Sequence, residues 1–423
     1  MKASLLLTLS SLSVGFAKVS YDGAKALRIP VGEDVEPLMQ IIDELSLPVW
    51  KGVVNGVPVA NGYVDLVVPA AQLARFNNLT TIVGMETEVM HEDLGLSIAE
   101  EGRAVGFAVP VAAANLTWFN AYHAYADHLQ FLNDLVSQYP ANSEIVVAGN
   151  SNAGRPITGI HFYGSGGNGS KPAVVLHGTV HAREWITTMT TEYLAYTLLS
   201  GYATNTQIKD FVDKYDFYVF PVVNPDGFVY TQTNDRLWRK NRQTVSSSSC
   251  VGRDINRNWP YQWSVTGGAS TNPCDETFKG LAGGDATENK VLLAHINKLA
   301  AGNGVQLYID IHSYSQLFMT PYGYSCTALA PQNTVLQTLA RGVAAAIKSV
   351  YGTTYTYGPV CTTIYKATGS SVDYVNDVTG AKYTFTIELR DTGTNGFVLP
   401  ASQILPTGVE TWEGFKYLLV NMS

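Results

Sequence analysis

Residues 173–185 read Ala-Val-Val-Leu-His177-Gly-Thr-Val-His181-Ala-Arg183-Glu184-Trp185, an apolar run that leads straight into a histidine and a glutamate three positions apart. An unbroken apolar run of this length, bounded by glycine, predicts a strand buried on both faces. A nitrogen ligand and a carboxylate where that strand gives way to a helix can fill two corners of a tetrahedral zinc site. The spacing alone is common by chance. Two further segments repeat the pattern: residues 308–316, Tyr-Ile-Asp-Ile-His312-Ser-Tyr314-Ser-Gln, and residues 383–391, Tyr-Thr-Phe-Thr-Ile-Glu388-Leu-Arg390-Asp. In open α/β sheets chemistry collects at the carboxyl ends of strands. Packing is a poor explanation for three strands that each end on such a residue.

Working outward, strands are expected at 144–149, 157–163, 173–178 and 216–223, and helices at 118–136, 186–200, 287–301, 333–351 and 408–421. Apolar strands interleaved with helices predict an α/β fold whose mixed, largely parallel sheet carries helices on both faces. Ahead of it, residues 18–112 read as a small α+β unit. Its strands are expected at 25–31, 63–68 and 85–91. Asp34 can cap a helix that aligns Val35, Leu38, Met39 and Ile42, a short helix holds Leu73 and Phe76, and another spans 93–101.

The 423 residues are 46% hydrophobic and 15% charged, which excludes a disordered chain. A net charge of −8 argues against nucleic acid or an anionic membrane as partner. Lys2, the apolar stretch 5–14 and Gly15-Phe-Ala17 read as a secretory signal over residues 1–17. No later run is apolar enough to span a bilayer. Sequons at Asn78, Asn115, Asn168 and Asn421 are compatible with glycosylation, and a secreted, extracellular protein is expected. In that setting Cys250, Cys274, Cys326 and Cys361 should pair. Three connectivities are possible, and proximity favours 250–274 with 326–361.

Five motifs in order carry a resemblance. They are His-Ala-Arg-Glu-Trp (181–185), Leu-Trp-Arg-Lys-Asn-Arg (237–242), Asp-Ile-Asn-Arg-Asn-Trp (254–259), Ile-His-Ser-Tyr-Ser-Gln (311–316) and Glu-Leu-Arg-Asp-Thr-Gly (388–393). From about residue 25 to the end the chain resembles the zinc metallocarboxypeptidases of the pancreatic A/B type in precursor form. The resemblance implies a catalytic domain over 113–423, one zinc ion, and an inhibitory pro-domain over 18–112. It also implies an activating protease that cuts near Arg103, and peptide or protein C-termini as substrate.

His181, Glu184 and His312 supply the three protein ligands that a catalytic zinc site needs. His177 reads better as a core histidine. Glu388, alone in an apolar strand, is the candidate general acid and base, with a salt bridge to Arg390 as the competing explanation. Residues 236–242 would ordinarily read as a solvated basic face. The resemblance instead gives Arg239 to the developing oxyanion, Asn256 and Arg257 to the substrate's terminal carboxylate, and Asp254 to the far nitrogen of His181. It gives Tyr365 to a loop over the bound residue, and Arg183 and Tyr314 to outer subsites. Val372 stands where the basic-selective members carry Asp. With Met319, Gly323, Val360, Ala367, Ser370 and Thr386 it leaves the pocket without a carboxylate, which implies aromatic or aliphatic preference. A catalytically dead binding protein would have lost a ligand or the glutamate, and an amidase for other substrates should lack Asn256, Arg257 and Tyr365. All are present.

Overall fold

A computed structural model describes residues 18–54, 56–103 and 115–422. The expected signal segment 1–17 and the expected processing segment beyond Arg103 lie outside the described residues, as does the Arg103 side chain.

The N-terminal unit is a four-stranded antiparallel sheet in the order Val49–Lys51, Tyr63–Val68, Lys25–Pro30, Glu88–His91. Alternation along Tyr63–Val68 gives the sheet two apolar faces. Val64, Leu66 and Val68 pack with Leu38, Ile41, Leu45 and Phe76 of the helices Glu36–Leu45 and Leu73–Ile82. The buried stripe of the first helix therefore differs from the expected one, with Ile41 and Leu45 inside. Its N-cap is Val35, and Asp34 Oδ1 accepts from Glu36 N at 3.1 Å. Val67, Ala26 and Trp50 face the other way, into a cluster with Leu237, Tyr314, Phe397 and Val398 of the larger unit.

The larger unit is built on an eight-stranded sheet in the order Thr356–Pro359, Leu317–Thr320, Tyr383–Leu389, Val305–Ser313, Ala173–Gly178, Asp216–Phe220, Pro156–Phe162, Ser143–Asn150. Its four central strands run parallel, and antiparallel pairs occur on both sides of them. Period-two alternation sorts the centre. Val174, Leu176, Ile309, Ile311, Phe385 and Ile387 join the core shared with the helices Trp185–Gly201, Asn333–Tyr351 and Ile404–Asn421. Val175 and Tyr308 pack on the opposite face with Leu292 and Ile296 of the helix Thr287–Ala301.

The helix expected over 118–136 is two elements, a 3₁₀ turn Leu116–Asn120 and a helix Tyr125–Gln138. Trp118 stacks on His123, and Asp127 accepts from Ala124 N, so Ala124 is the cap and the helix starts at Tyr125. The strand expected to reach 223 ends at Phe220, because Pro221 has no N–H to continue the ladder. Cys250 pairs with Cys274 and Cys326 with Cys361. Among the described residues no helix is long and apolar enough to cross a membrane.

Candidate metal centre and substrate cleft

Parallel register places His312 directly beside Glu388 at the carboxyl ends of their strands. Ala173–Gly178 is the next strand, and the turn after it carries His181 and Glu184 to the same end. His181, Glu184 and His312 are all buried, and each offers one ligand atom within 4.8 Å of the others. His181 Nδ1 lies 2.8 Å from Glu184 Oε1, His312 Nδ1 lies 3.1 Å from Glu184 Oε2, and the two Nδ1 atoms are 3.1 Å apart. Two imidazole nitrogens that face each other at that distance beside a carboxylate suit a shared cation.

The opposite ring nitrogens meet carboxylates as well. His181 Nε2 is 3.1 Å from Asp254 Oδ1, and His312 Nε2 is 3.0 Å from Asp310 Oδ2. Such partners orient a metal-bound imidazole. The donor set thus fits zinc, which if bound there would supply Lewis-acid polarisation of water and of a carbonyl.

Glu388 is half-buried beside this cluster. Arg390 turns away from it, to Glu410 at 2.7 and 2.5 Å, to Gln403 and to Thr353, so the competing salt bridge is not formed. Burial and the nearby Glu184 carboxylate push the Glu388 carboxyl up from its ordinary range. His177 is a core residue: Tyr308 OH reaches its Nδ1 at 3.1 Å, and burial lowers its pKa to about 4.

The basic segment 236–242 is not a solvated face. Arg239 is buried, with Nη2 and Nε on Asp254 Oδ2 at 2.9 and 3.2 Å and Nη1 3.9 Å from Glu184 Oε1. Arg257 donates from Nη1 to Asn256 O, lies 5.8 Å from the Tyr365 ring centre, and has its buried Nε without a partner among the described residues. Asn256 accepts from Ser371 N at 2.8 Å. Gly369 sits at a φ of +66° with its missing Cβ 2.3 Å from Arg257 O, so only glycine lets this loop close against the arginine.

One cleft is lined by these groups together with Met319, Val360, Tyr365, Ala367, Ser370, Val372 and Thr386. Met319, Val360, Ala367 and Val372 form an apolar cluster of their own. Gly323 stays behind the wall, its N–H on the Asp373 carboxylate at 3.0 Å. Asp373 follows Val372 in the chain but is occupied by Gly323 N and Tyr324 N, and its pKa is pushed by burial to about 7.

Sequence reading missed what the N-terminal unit brings to this cleft. Trp50 and Lys51 line it, and Lys51 Nζ donates to Tyr314 O at 2.9 Å. Burial lowers the Lys51 pKa against the pull of Glu388. Tyr314 is buried, with its hydroxyl on Asp65 at 2.5 Å, and Arg28 holds the same carboxylate at 2.7 Å. Arg236 makes a buried two-bond pair with Glu101 at 2.6 and 2.7 Å and stacks 3.8 Å over Trp185. Arg183 lies over Phe397 and pairs with Glu276 at 2.9 Å. Asp65, a carboxylate inside the apolar strand Tyr63–Val68, was the sequence signal for this interface; Glu101, flanked by Glu100 and Gly102, carried none.

Residues 128–414 match the family model of the zinc carboxypeptidases, and residues 30–101 match that of the carboxypeptidase activation peptide. Metallocarboxypeptidase A of Trichophyton rubrum is 49% identical over 425 residues, covering 99% of each chain. Carboxypeptidase A4 of Mus musculus is 37% identical over 401 residues, covering 94% of this chain and 93% of its own. Among solved structures, thrombin activatable fibrinolysis inhibitor superposes with a TM-score of 0.88 at 26% identity, over 95% of this chain and 99% of its own. Carboxypeptidase A from Helicoverpa armigera gives 0.79 at 27% identity, over 94% and 97%. With His181, Glu184 and His312 gathered as they are, the chain belongs to the zinc carboxypeptidases and is a metallocarboxypeptidase that carries its activation peptide.

Proposed function

We propose that this protein is a secreted, glycosylated precursor of an exopeptidase that removes aromatic or aliphatic residues from peptide C-termini. The observation that carries the preference is the apolar pocket of Met319, Val360, Ala367 and Val372, with the Val372 side chain at 2% exposure. Asn256, Arg257 and Tyr365 line the same cleft. A guanidinium receives a carboxylate through two parallel hydrogen bonds, which suits recognition of a free C-terminus. Glu388 takes a proton from the attacking water on its carboxylate and returns it to the leaving amine nitrogen. Arg239, pinned through Nε and Nη2, presents Nη1 to the oxyanion. Asp254 orients His181, Arg183 and Tyr314 border the outer subsites, and Tyr365 covers the bound residue.

A panel of blocked dipeptides that differ only in the last residue tests this. Phe, Tyr, Leu or Ile should outrun Lys or Arg by on the order of 10²-fold in kcat/KM, since a basic side chain would be buried without a partner. Val372→Asp should narrow or reverse the gap, and amidating the good substrates should remove turnover. Lys-terminated peptides cut as fast as Phe-terminated ones would refute the apolar preference while leaving the hydrolytic chemistry untouched.

Latency is the second part of the proposal. The contacts of Lys51, Asp65 and Glu101 support a precursor held closed by its first unit, with cleavage near Arg103 by an activating protease as the releasing event. A space of about 400 Å³ remains between Val49–Lys51 and Arg183, Arg239, Arg257 and Tyr365. That space adjoins the cleft of His312 and Glu388, which keeps about 60 Å³ free with Trp50 and Lys51 in its wall. Purified precursor should hydrolyse long peptides much more slowly than trimmed enzyme, with a smaller difference on blocked dipeptides. Lys51→Ala should raise the precursor's basal rate. Equal rates for precursor and trimmed enzyme on a long peptide would show that the first unit does not inhibit.

A further inference from the structure

Asp310 has no part in the site as the sequence alone presents it. It sits two positions before His312, so strand alternation turns both to the same face. Its Oδ2 lies 3.0 Å from Nε2 of His312, the nitrogen opposite the Nδ1 that points at His181 and Glu184. The same oxygen accepts the hydroxyl of Ser371. The side chain is fully buried, and Oδ1 has no partner among the described residues. A serine hydroxyl alone is poor compensation for a buried carboxylate. Cross-strand packing does not need this side chain either, because Thr386 Oγ1 bonds the Asp310 backbone carbonyl.

We propose that Asp310 is a positioning residue that fixes His312 as the tautomer with its proton on Nε2, leaving the Nδ1 lone pair free for the metal. The inference rests on His312 as a zinc ligand. Among the described residues the Asn256 amide also approaches that nitrogen, its Nδ2 3.2 Å from His312 Nε2. Asn256 Oδ1 is engaged by Ser371 N, so the amide turns its nitrogen to the ring. With the ring proton aimed at Asp310, donor faces donor. Asn256 therefore cannot hold this tautomer, and its N–H groups stay available for a substrate carboxylate. Asp254 stands to His181 as Asp310 stands to His312, so each imidazole is braced by its own carboxylate from behind. The two braces come from different places: Asp254 from the loop before a 3₁₀ turn, Asp310 from the same strand as its histidine.

The test uses the full-length chain as parent, Asp310→Asn, Asp310→Ala and His312→Ala. Zinc affinity is read by competition with a chelator, and the site's geometry by the visible spectrum after cobalt replaces zinc. Both Asp310 variants should bind zinc about 10- to 100-fold more weakly with an altered cobalt spectrum, and His312→Ala more weakly still. Asp310 variants with unchanged affinity and spectrum, beside a His312→Ala that loses zinc, would overturn the proposal and leave the ligand set standing. Retention of zinc by His312→Ala would overturn the ligand reading itself. Should the Asp310 variants fail to fold, ¹⁵N-labelled parent protein decides the matter. A slowly exchanging, hydrogen-bonded proton on His312 Nε2 supports the brace, and rapid exchange with water refutes it.

Discussion

Stripping the metal with a chelator is expected to abolish turnover, and adding zinc back to restore it; His312→Ala should lose both zinc and activity. His312 contributes one of three protein ligands, and its Nδ1 sits within 3.1 Å of both His181 and Glu184. Alanine leaves two ligands, and a two-ligand site cannot hold zinc in the geometry that catalysis needs. The fold should survive, because the strand Val305–Ser313 is held by Ala173–Gly178 up to Ile311 and by Tyr383–Leu389 from Leu307 to Ser313. Metal analysis and rate are measured together on trimmed enzyme. Full zinc content with a normal rate in His312→Ala would show that the ligand set is different.

Glu388→Gln should keep zinc and fold yet lower kcat by about 10²- to 10⁴-fold, since only the proton carrier is removed. Among the described residues the Glu388 carboxylate makes no hydrogen bond, so an amide of the same shape disturbs no structural contact. Burial and the Glu184 carboxylate hold the Glu388 proton more tightly than an exposed carboxyl would, which suits a group that must accept a proton and then return it near neutral pH. A near-normal kcat in the variant, with zinc retained, would place the proton carrier elsewhere. Lys51 of the first unit lines the same cleft as Glu388.

Much of this arrangement follows from local chain chemistry. The apolar run before His181 had to be a buried strand, and the lone His312 and Glu388 marked the ends of two more. The N-terminal strand Tyr63–Val68 and the helices Thr287–Ala301 and Asn333–Tyr351 fall where periodicity puts them. Elements whose ends depend on side-chain contacts were less legible. The chain breaks between Asn120 and Tyr125 because Trp118 stacks on His123, a contact that no helical period encodes. The short helices Thr206–Lys214, Pro225–Thr233 and Ser371–Asp377 went unread because each spans only about two turns, too short for a helical period to stand out.

By itself the sequence determined the ligand types, their strand ends and the apolar character of the Val372 wall, because hydrophobic period and residue chemistry are local properties. Only the tertiary structure decided which nitrogen of each histidine faces Glu184. It alone paired Arg390 with Glu410 rather than Glu388, and it alone carried Lys51 from the first unit into the cleft. Lys51 and Tyr314 are 263 positions apart, and Asp65 and Tyr314 are 249 apart. Contacts across such separations depend on how two folded surfaces dock, and docking is set by the joint shape and charge of both surfaces, which no window of neighbouring residues contains.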